Sequence, residues 1–272
     1  MVITSRSNPK VISASALKDK KYRDETGCFL IEGTKLFCEA VRSGIKLTDV
    51  FCTEEQYGFC RNVLSEAEIT VVADTVLEKI STEKSPQGII CVAKYLDKIH
   101  NINKIYTMED FADGRRVMLL SSLRDPGNLG TVVRTASAFG VDLLILSSDC
   151  ADIYNPRTVR AAMGTLFRQP ISVVPDLPDT VKTLKEAGYA VYAAVLDDTS
   201  VCLDEMTVTK KTAFIIGNEG HGIAPEVIGA AGRNVYIPMM PGVESLNASA
   251  AAAVFMWQSM ISEKAAQKSG NK

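Results

Sequence analysis

The chain has 272 residues, 46% of them hydrophobic and 23% charged, with a formal net charge of −2, the composition of a globular protein of one or two domains. No apolar run reaches the ~20 residues of a membrane span, and the start MVITSRSNPK lacks the apolar stretch of a secretion signal, so a cytoplasmic location is expected. Seven scattered cysteines with no CxxC pair, and only two histidines, His100 and His221, argue against a disulfide framework, a metal site or a Ser/His/Asp triad.

Residues 1–23 carry Arg6, Lys10, Lys18, Lys20, Lys21 and Arg23 against the single acid Asp19, and VISASALKDKKYR predicts one basic helix. CFLIEG, DVFCT, ITVVAD and GIICVAKY read as strands, and TKLFCEAVRSG, residues 54–66 and VLEKIS as helices. Residues 1–97 are therefore expected to form a small α/β unit. The stretch 98–114 is polar and without a period, and reads as a linker.

From residue 115 the pattern becomes strand RRVMLLSSL, loop RDPGNLG, helix 130–140, strand DLLILS, a helix around TVRAAMGTLF, strand ISVV and helix 177–187. Strands AVYAAVL and TAFIIG, loop NEGHG, a helix from Pro225, strand VYIPM and an alanine-rich helix complete it. Continuous apolar strands alternating with helices predict a parallel sheet covered on both faces over 115–272. In such a sheet a ligand crevice lies at the carboxyl ends of the strands. Arg157, Arg160 and Arg168 make a second basic run without an acid. Either basic run could meet phosphates or be a solvated helix face.

The carboxyl-end rule selects three loops. In SSLRDPGNLGTVVRTASAFG, Pro126 and Gly127 turn the chain, Asn128 is placed to cap the next helix, and Arg134 is a lone charge among small residues. In IIGNEGHGIAPEV, Gly217, Gly220 and Gly222 flank Glu219, a candidate partner for Arg134; the glycines match neither a dinucleotide fingerprint nor a phosphate loop. His221 reads as a surface loop residue. In YIPMMPGVESLNASAAAAVFMW, Pro238 stops a strand, and Ser245 and Asn247 stand at the mouth of a helix of alanines. This inventory of arginine, glutamate, asparagine, serine and free backbone groups suits holding a cofactor and an anionic polymer better than hydrolysis.

NLGTVVRTASAFG, FIIGNEGHGI and VYIPMMPGVESLNASAAAAVF, in that order, resemble the three motifs of the SpoU/TrmH branch of the SPOUT methyltransferases. SRSNPKV, KKYRDETGCFLIEG and SPQGIICVAKY resemble the family's amino-terminal L30e-like substrate-binding domain. The resemblance implies an α/β fold whose carboxyl-terminal SPOUT domain closes in a deep trefoil knot, works as a homodimer and uses S-adenosyl-L-methionine to methylate a ribose 2′-hydroxyl in RNA. It places Asn128, Arg134, Glu219, Ser245 and Asn247 in the catalytic motifs. It places Leu196, Gly217, Asn218, Ile237, Met239, Ser245, Leu246 and Asn247 around the cofactor, Leu196 less securely because DDTS after it matches little. Arg6, Lys10, Lys20, Lys21, Arg23, Arg157 and Arg160 then become candidate RNA contacts. Ribosomal RNA is favoured over transfer RNA by analogy. A non-catalytic RNA-binding module and a nicotinamide-dependent oxidoreductase are the rival readings, the second lacking its glycine fingerprint.

Overall fold

The computed structural model describes residues 2–64, 69–96, 101–102, 105–218, 220–243 and 245–270. In chain order the elements are α1 (Pro9–Ala16), α2 (Lys20–Thr26), β1 (Cys28–Glu32), α3 (Thr34–Arg42), β2 (Leu47–Cys52), α4 (Glu54–Val63), β3 (Ile69–Val71), α5 (Asp74–Ile80) and β4 (Ile89–Lys94). There follow β5 (Asn101–Ile102), β6 (Val117–Leu120), α6 (Pro126–Phe139), β7 (Leu143–Ser147), α7 (Pro156–Ala161), β8 (Ile171–Val174), α8 (Leu177–Glu186) and β9 (Ala190–Ala194). The last are β10 (Val201–Cys202), β11 (Thr212–Ile216), α9 (Pro225–Ala231), β12 (Asn234–Tyr236) and α10 (Ala248–Gly270). Two compact units result, Met1–Asp97 with Asp152–Arg168, and Lys98–Ala151 with Gln169–Lys272. Among the described residues no helix is long and apolar enough to cross a membrane.

The first unit holds a four-stranded sheet in the order β1-β4-β2-β3, with β4 antiparallel to both neighbours and β3 parallel to β2. Its core gathers Val11, Leu30, Phe51, Val76, Ile80 and Ile90. The single basic helix expected before β1 is in fact two. The Asp19 carboxylate accepts from the Lys21 N–H at 2.9 Å and caps a fresh start, so α1 stops at Ala16 and α2 begins at Lys20.

Arg23, expected to face RNA, is 2% exposed. Its guanidinium donates to the carbonyls of Leu17 and Lys18 at 2.8 Å each, and to Asp152 from Nε at 3.1 Å and Nη2 at 2.5 Å. It is a buried strut that fixes the corner between α1 and α2, and no nucleic acid can reach it. Its partner comes from the segment between β7 and β8, whose helix α7 packs on β1. Tyr154 of that segment stacks on Tyr95 at 3.9 Å between ring centres, and its hydroxyl accepts from the Leu96 N–H at 2.8 Å.

The second unit is an eight-stranded sheet in the order β10-β12-β9-β11-β6-β7-β8-β5, parallel at every pairing. Side chains alternate across a strand, and both faces are covered. Ala213 and Ile215 pack with Leu177, Val181, Val227 and Ala231 of α8 and α9, while Phe214 points the other way and meets Phe255 of α10 at 4.8 Å. Helix α6 packs against α10, with Phe139 edge-on to Trp257 at 5.7 Å.

The segment read as a linker belongs partly to this core. β5 pairs with β8 at the sheet edge, and Tyr106 and Phe111 are buried beside Leu177, Val181 and Tyr189. A short 3-10 turn, Met108–Phe111, carries Phe111 inward, closed by reciprocal hydrogen bonds between Thr107 and Asp110.

Candidate active site

β9, β11 and β12 are neighbours in the sheet and end at Ala194, Ile216 and Tyr236. A cleft opens where they end, at the position the carboxyl-end rule requires. Seven of the eight residues expected around a cofactor line it: Leu196, Gly217, Asn218, Ile237, Met239, Ser245 and Leu246. They come from three loops spread over 51 residues of sequence, and the parallel sheet brings them together. Ala248, Ala251 and Phe255 of α10 complete the wall. The small residues of α10 therefore serve the cleft and the close packing at once, since Ala248 and Ala252 are also buried. No charged residue lines the cleft among the described residues. An apolar slot edged by the main chain of strand ends fits a planar, uncharged heterocycle and its ribose better than a phosphate.

The loop after β11 folds back on itself. Asn218 and Gly222 exchange backbone hydrogen bonds at 3.0 and 2.9 Å. A Cβ on Gly217 would lie 2.6 Å from the Gly222 carbonyl group and from Ile223, so this glycine is required by the loop's own return rather than by a ligand. The Asn218 side chain is consumed inside the fold. Its Oδ1 accepts from the N–H groups of Gly220 and His221 at 2.9 and 3.2 Å, and its Nδ2 donates to the Ser122 carbonyl at 3.0 Å. His221 is an exposed loop residue. Glu219 lies outside the described residues.

Ser122, which sequence reasoning did not single out, has φ +56°. A non-glycine residue in the left-handed region is strained, and both its backbone groups are held: its N–H donates to Ser147 Oγ at 2.8 Å and its carbonyl accepts from Asn218. Ser147 in turn donates to Asp149 at 2.7 Å, and Arg124 lies 3.2 Å from the same carboxylate. Burial alone would raise the Asp149 carboxyl, but hydrogen bonds from Ser122, Ser147 and Arg124 outweigh it and hold it below its ordinary value. The partners are 25 and 96 residues apart in sequence, and no local pattern announces them.

At the mouth of the cleft two helices begin side by side. Asp125, not Asn128, caps α6, accepting from the Asn128 N–H at 2.8 Å. The Asn128 side chain is thereby left for another use, and its Oδ1 accepts from Asn247 Nδ2 at 3.1 Å. Asn247 caps α10 with its other amide atom, accepting from Ser249 N at 3.0 Å and Ser249 Oγ at 2.6 Å. Asn247 does not line the cleft; it joins the two helix starts beside it. Arg134 is exposed on α6, and its side chain makes no hydrogen bond or ion pair with any other described residue.

All seven candidate RNA contacts lie in the first unit. Arg6 and Arg157 are exposed. Lys10, Lys20 and Lys21 are exposed beside Asp49, Asp24 and Glu25, and Arg160 is paired with Glu83. Surface pairs of this kind are weak and open to competition by phosphate.

Residues 115–257 match the SpoU rRNA methylase family, and residues 8–91 match the MRM3-like substrate binding domain. The chain belongs to the SpoU rRNA methylase family. It is 33% identical to the 23S rRNA (guanosine(2553)-2′-O)-methyltransferase RlmP of Bacillus subtilis, over 94% of this chain and 97% of that one. To a 23S rRNA (uridine(2479)-2′-O)-methyltransferase of Streptomyces viridochromogenes it is 27% identical, over 95% and 91%. The solved structure of an AdoMet-bound rRNA methyltransferase from Sinorhizobium meliloti superposes with a TM-score of 0.80 at 29% identity, covering 95% of this chain and 97% of that one. The SpoU fold expected from the motifs is thus the one found, and with the family the chain is an S-adenosylmethionine-dependent RNA methyltransferase.

Proposed function

We propose that the protein methylates a ribose 2′-hydroxyl of ribosomal RNA as a cytoplasmic homodimer, with the cofactor in the cleft at the ends of β9, β11 and β12. The observation that carries this is the cleft itself, which unites residues of three separate loops around an uncharged slot and sets the Asn128–Asn247 pair at its lip. The relatives named above act on ribosomal RNA, at a guanosine in one case and a uridine in the other, so the shared chemistry is that of the ribose and not the base.

S-adenosylmethionine supplies a methyl group on a sulfonium. Val235, Ile237, Met239 and Phe255 would hold the adenosyl part by apolar contact, and the main chain at Gly217 and Leu246 would meet its polar edges. Ser245, at the rim, would face the methionyl end. A guanidinium is a poor base at neutral pH, so Arg134 acts chiefly by fixing the ribose hydroxyl and a neighbouring phosphate with its fork of donors. For the dimer, support comes from α10: Val254 and Trp257 are 38% and 49% exposed on a helix that already packs on α6, apolar side chains that a second copy would cover. Seven free cysteines agree with a reducing compartment.

The test is incubation with tritiated S-adenosylmethionine and total RNA, followed by mapping of 2′-O-methyl positions against an Arg134→Ala control. Label at a ribose of ribosomal RNA, absent with the variant, is the expected result. Label in transfer RNA, on a base, or none at all would overturn it.

A further inference from the structure

The connection from β9 to β10 supplies Val195 and Leu196 to the cleft. Leu196 is 65% exposed, so its own packing does not hold it. The main chain is tied to β12 at Val195, whose N–H donates to the Val235 carbonyl at 3.1 Å, and beyond that point the segment is held by the side chain of Asp197. Asp197 Oδ1 accepts from Thr199 N at 2.8 Å and Thr199 Oγ1 at 2.7 Å, and its N–H donates to Ser200 Oγ at 3.0 Å. Ser200 Oγ also lies 2.8 Å from the Val195 carbonyl and 2.9 Å from Asp197 Oδ1, so its one proton closes the turn on either side. Asp197 Oδ2 is reserved for a residue of another strand, Asn234 Nδ2, at 2.5 Å.

Asn234 opens β12, the neighbour of β9 in the sheet, which leads Val235, Tyr236 and then Ile237 into the adjoining wall of the cleft. Its remaining amide atom, Oδ1, is buried and has no partner among the described residues. A buried acceptor left unsatisfied is unfavourable, so the amide is kept in this orientation by the carboxylate it faces. Hydrogen bonds from Thr199, then Ser200 and Asn234, hold the Asp197 carboxyl below its ordinary value, and it is an acceptor across the neutral range.

We infer that Asp197 is a positioning residue for the cofactor: by clamping the 195–200 segment to Asn234, it fixes the Val195–Leu196 wall of the cleft against the Val235–Ile237 wall. It touches no reacting atom. The inference rests on the reading of this cleft as the S-adenosylmethionine site. An amide at position 197 is a weaker substitute for the carboxylate: with its oxygen kept toward Thr199, its N–H faces Asn234, whose amide must turn over to accept it, and the bonds lose the help of the charge.

The experiment is calorimetric titration of S-adenosylmethionine into wild type, Asp197→Ala, Asp197→Asn, Asn234→Ala and the cleft-filling Ala251→Phe, with kcat at saturating cofactor and melting temperature measured for each. Asp197→Ala and Asp197→Asn should weaken binding about tenfold, the worth of one hydrogen bond to a charged group. The expected kcat lies within twofold of wild type, so the loss falls in KM. Asn234→Ala opens the same clamp from the other side without touching the turn, and should weaken binding in the same direction even where an Asp197 variant folds poorly. Unchanged binding in all three clamp variants, with Ala251→Phe losing the cofactor, would overturn the inference and leave the cleft reading standing. A loss of kcat equal to the loss of affinity would also overturn it. Normal binding by Ala251→Phe would remove the cleft reading, and the inference with it.

Discussion

Arg134 is one charge on a helix of small residues, exposed and unpaired among the described residues, and its chemistry separates two roles. A proton acceptor needs a neutral form that a guanidinium hardly offers, whereas an orienting group needs the planar fork that lysine lacks. Arg134→Lys is therefore expected to fail nearly as badly as Arg134→Ala, each losing on the order of 10²-fold in single-turnover rate; near-normal turnover by the lysine variant would sink the orienting role. Asp149 gives a second prediction. Burial opposes its charge, but its hydrogen bonds leave the folded-state carboxyl below the ordinary value. A group depressed on folding adds stability that is present above the unfolded-state value of about 4 and is lost as pH falls through the lower folded-state one. The gap in melting temperature between wild type and Asp149→Asn should thus be full at neutral pH and close only in acid below pH ~4. A gap that persisted unchanged into strong acid would show that the serine network does not depend on the charge.

At the scale of elements, the contact that matters is between two helix starts. Asn247 caps α10 and also donates to Asn128 on α6, so Asn247→Ala removes a cap worth about 1 kcal/mol together with a link between the helices. Asn128→Ala removes the link and leaves that cap in place. In urea denaturation the two changes should therefore be non-additive, with a coupling of about 0.5–1.5 kcal/mol; strict additivity would mean that the Asn–Asn contact carries no energy. The longer strands and the three loops were legible because each is set by local pattern: apolar runs, Pro238 as a stop, Asn247 as a cap. Two other elements were misread for identifiable reasons. Asp19 between lysines looks like one charge in a basic helix, yet it is the cap that splits α1 from α2. The polar tone of 98–114 hides Tyr106 and Phe111, although the Thr107–Asp110 pair that folds them inward is a capping signature present in the sequence. The Asp197 clamp and the strained Ser122 were beyond reach, because their partners come from other strands and only the sheet brings them near.

At the scale of the molecule, the first unit is not a contiguous piece of chain. Residues 152–168 leave the parallel sheet between β7 and β8 and pack with residues 1–97, a long-range choice that no periodicity near residue 150 could signal. Its anchor is Arg23, 2% exposed, bonded to Asp152. A buried pair contributes little over an apolar substitute, but breaking it strands a charge that burial cannot solvate, at a cost of about 3 kcal/mol or more. Asp152→Ala in the whole chain should lower the unfolding free energy of the first unit, read from urea denaturation, by that amount, while Arg23→Met with Asp152→Leu, which removes both charges, should recover much of the loss. The same argument predicts the behaviour of fragments. Residues 1–97 alone leave Arg23 without its carboxylate, Phe29 without the Tyr154 ring 4.8 Å away, and Tyr95 without its stacking partner, and should show no cooperative unfolding transition. The Leu96 N–H lies 2.8 Å from the Tyr154 hydroxyl, so a short glycine-serine connection from residue 97 to residue 152 can restore the missing segment. Residues 1–97 joined in this way to 152–168 should unfold in one sharp transition. A cooperative transition in 1–97 alone, at the same midpoint, would show that the small unit does not need what the second half of the chain gives it.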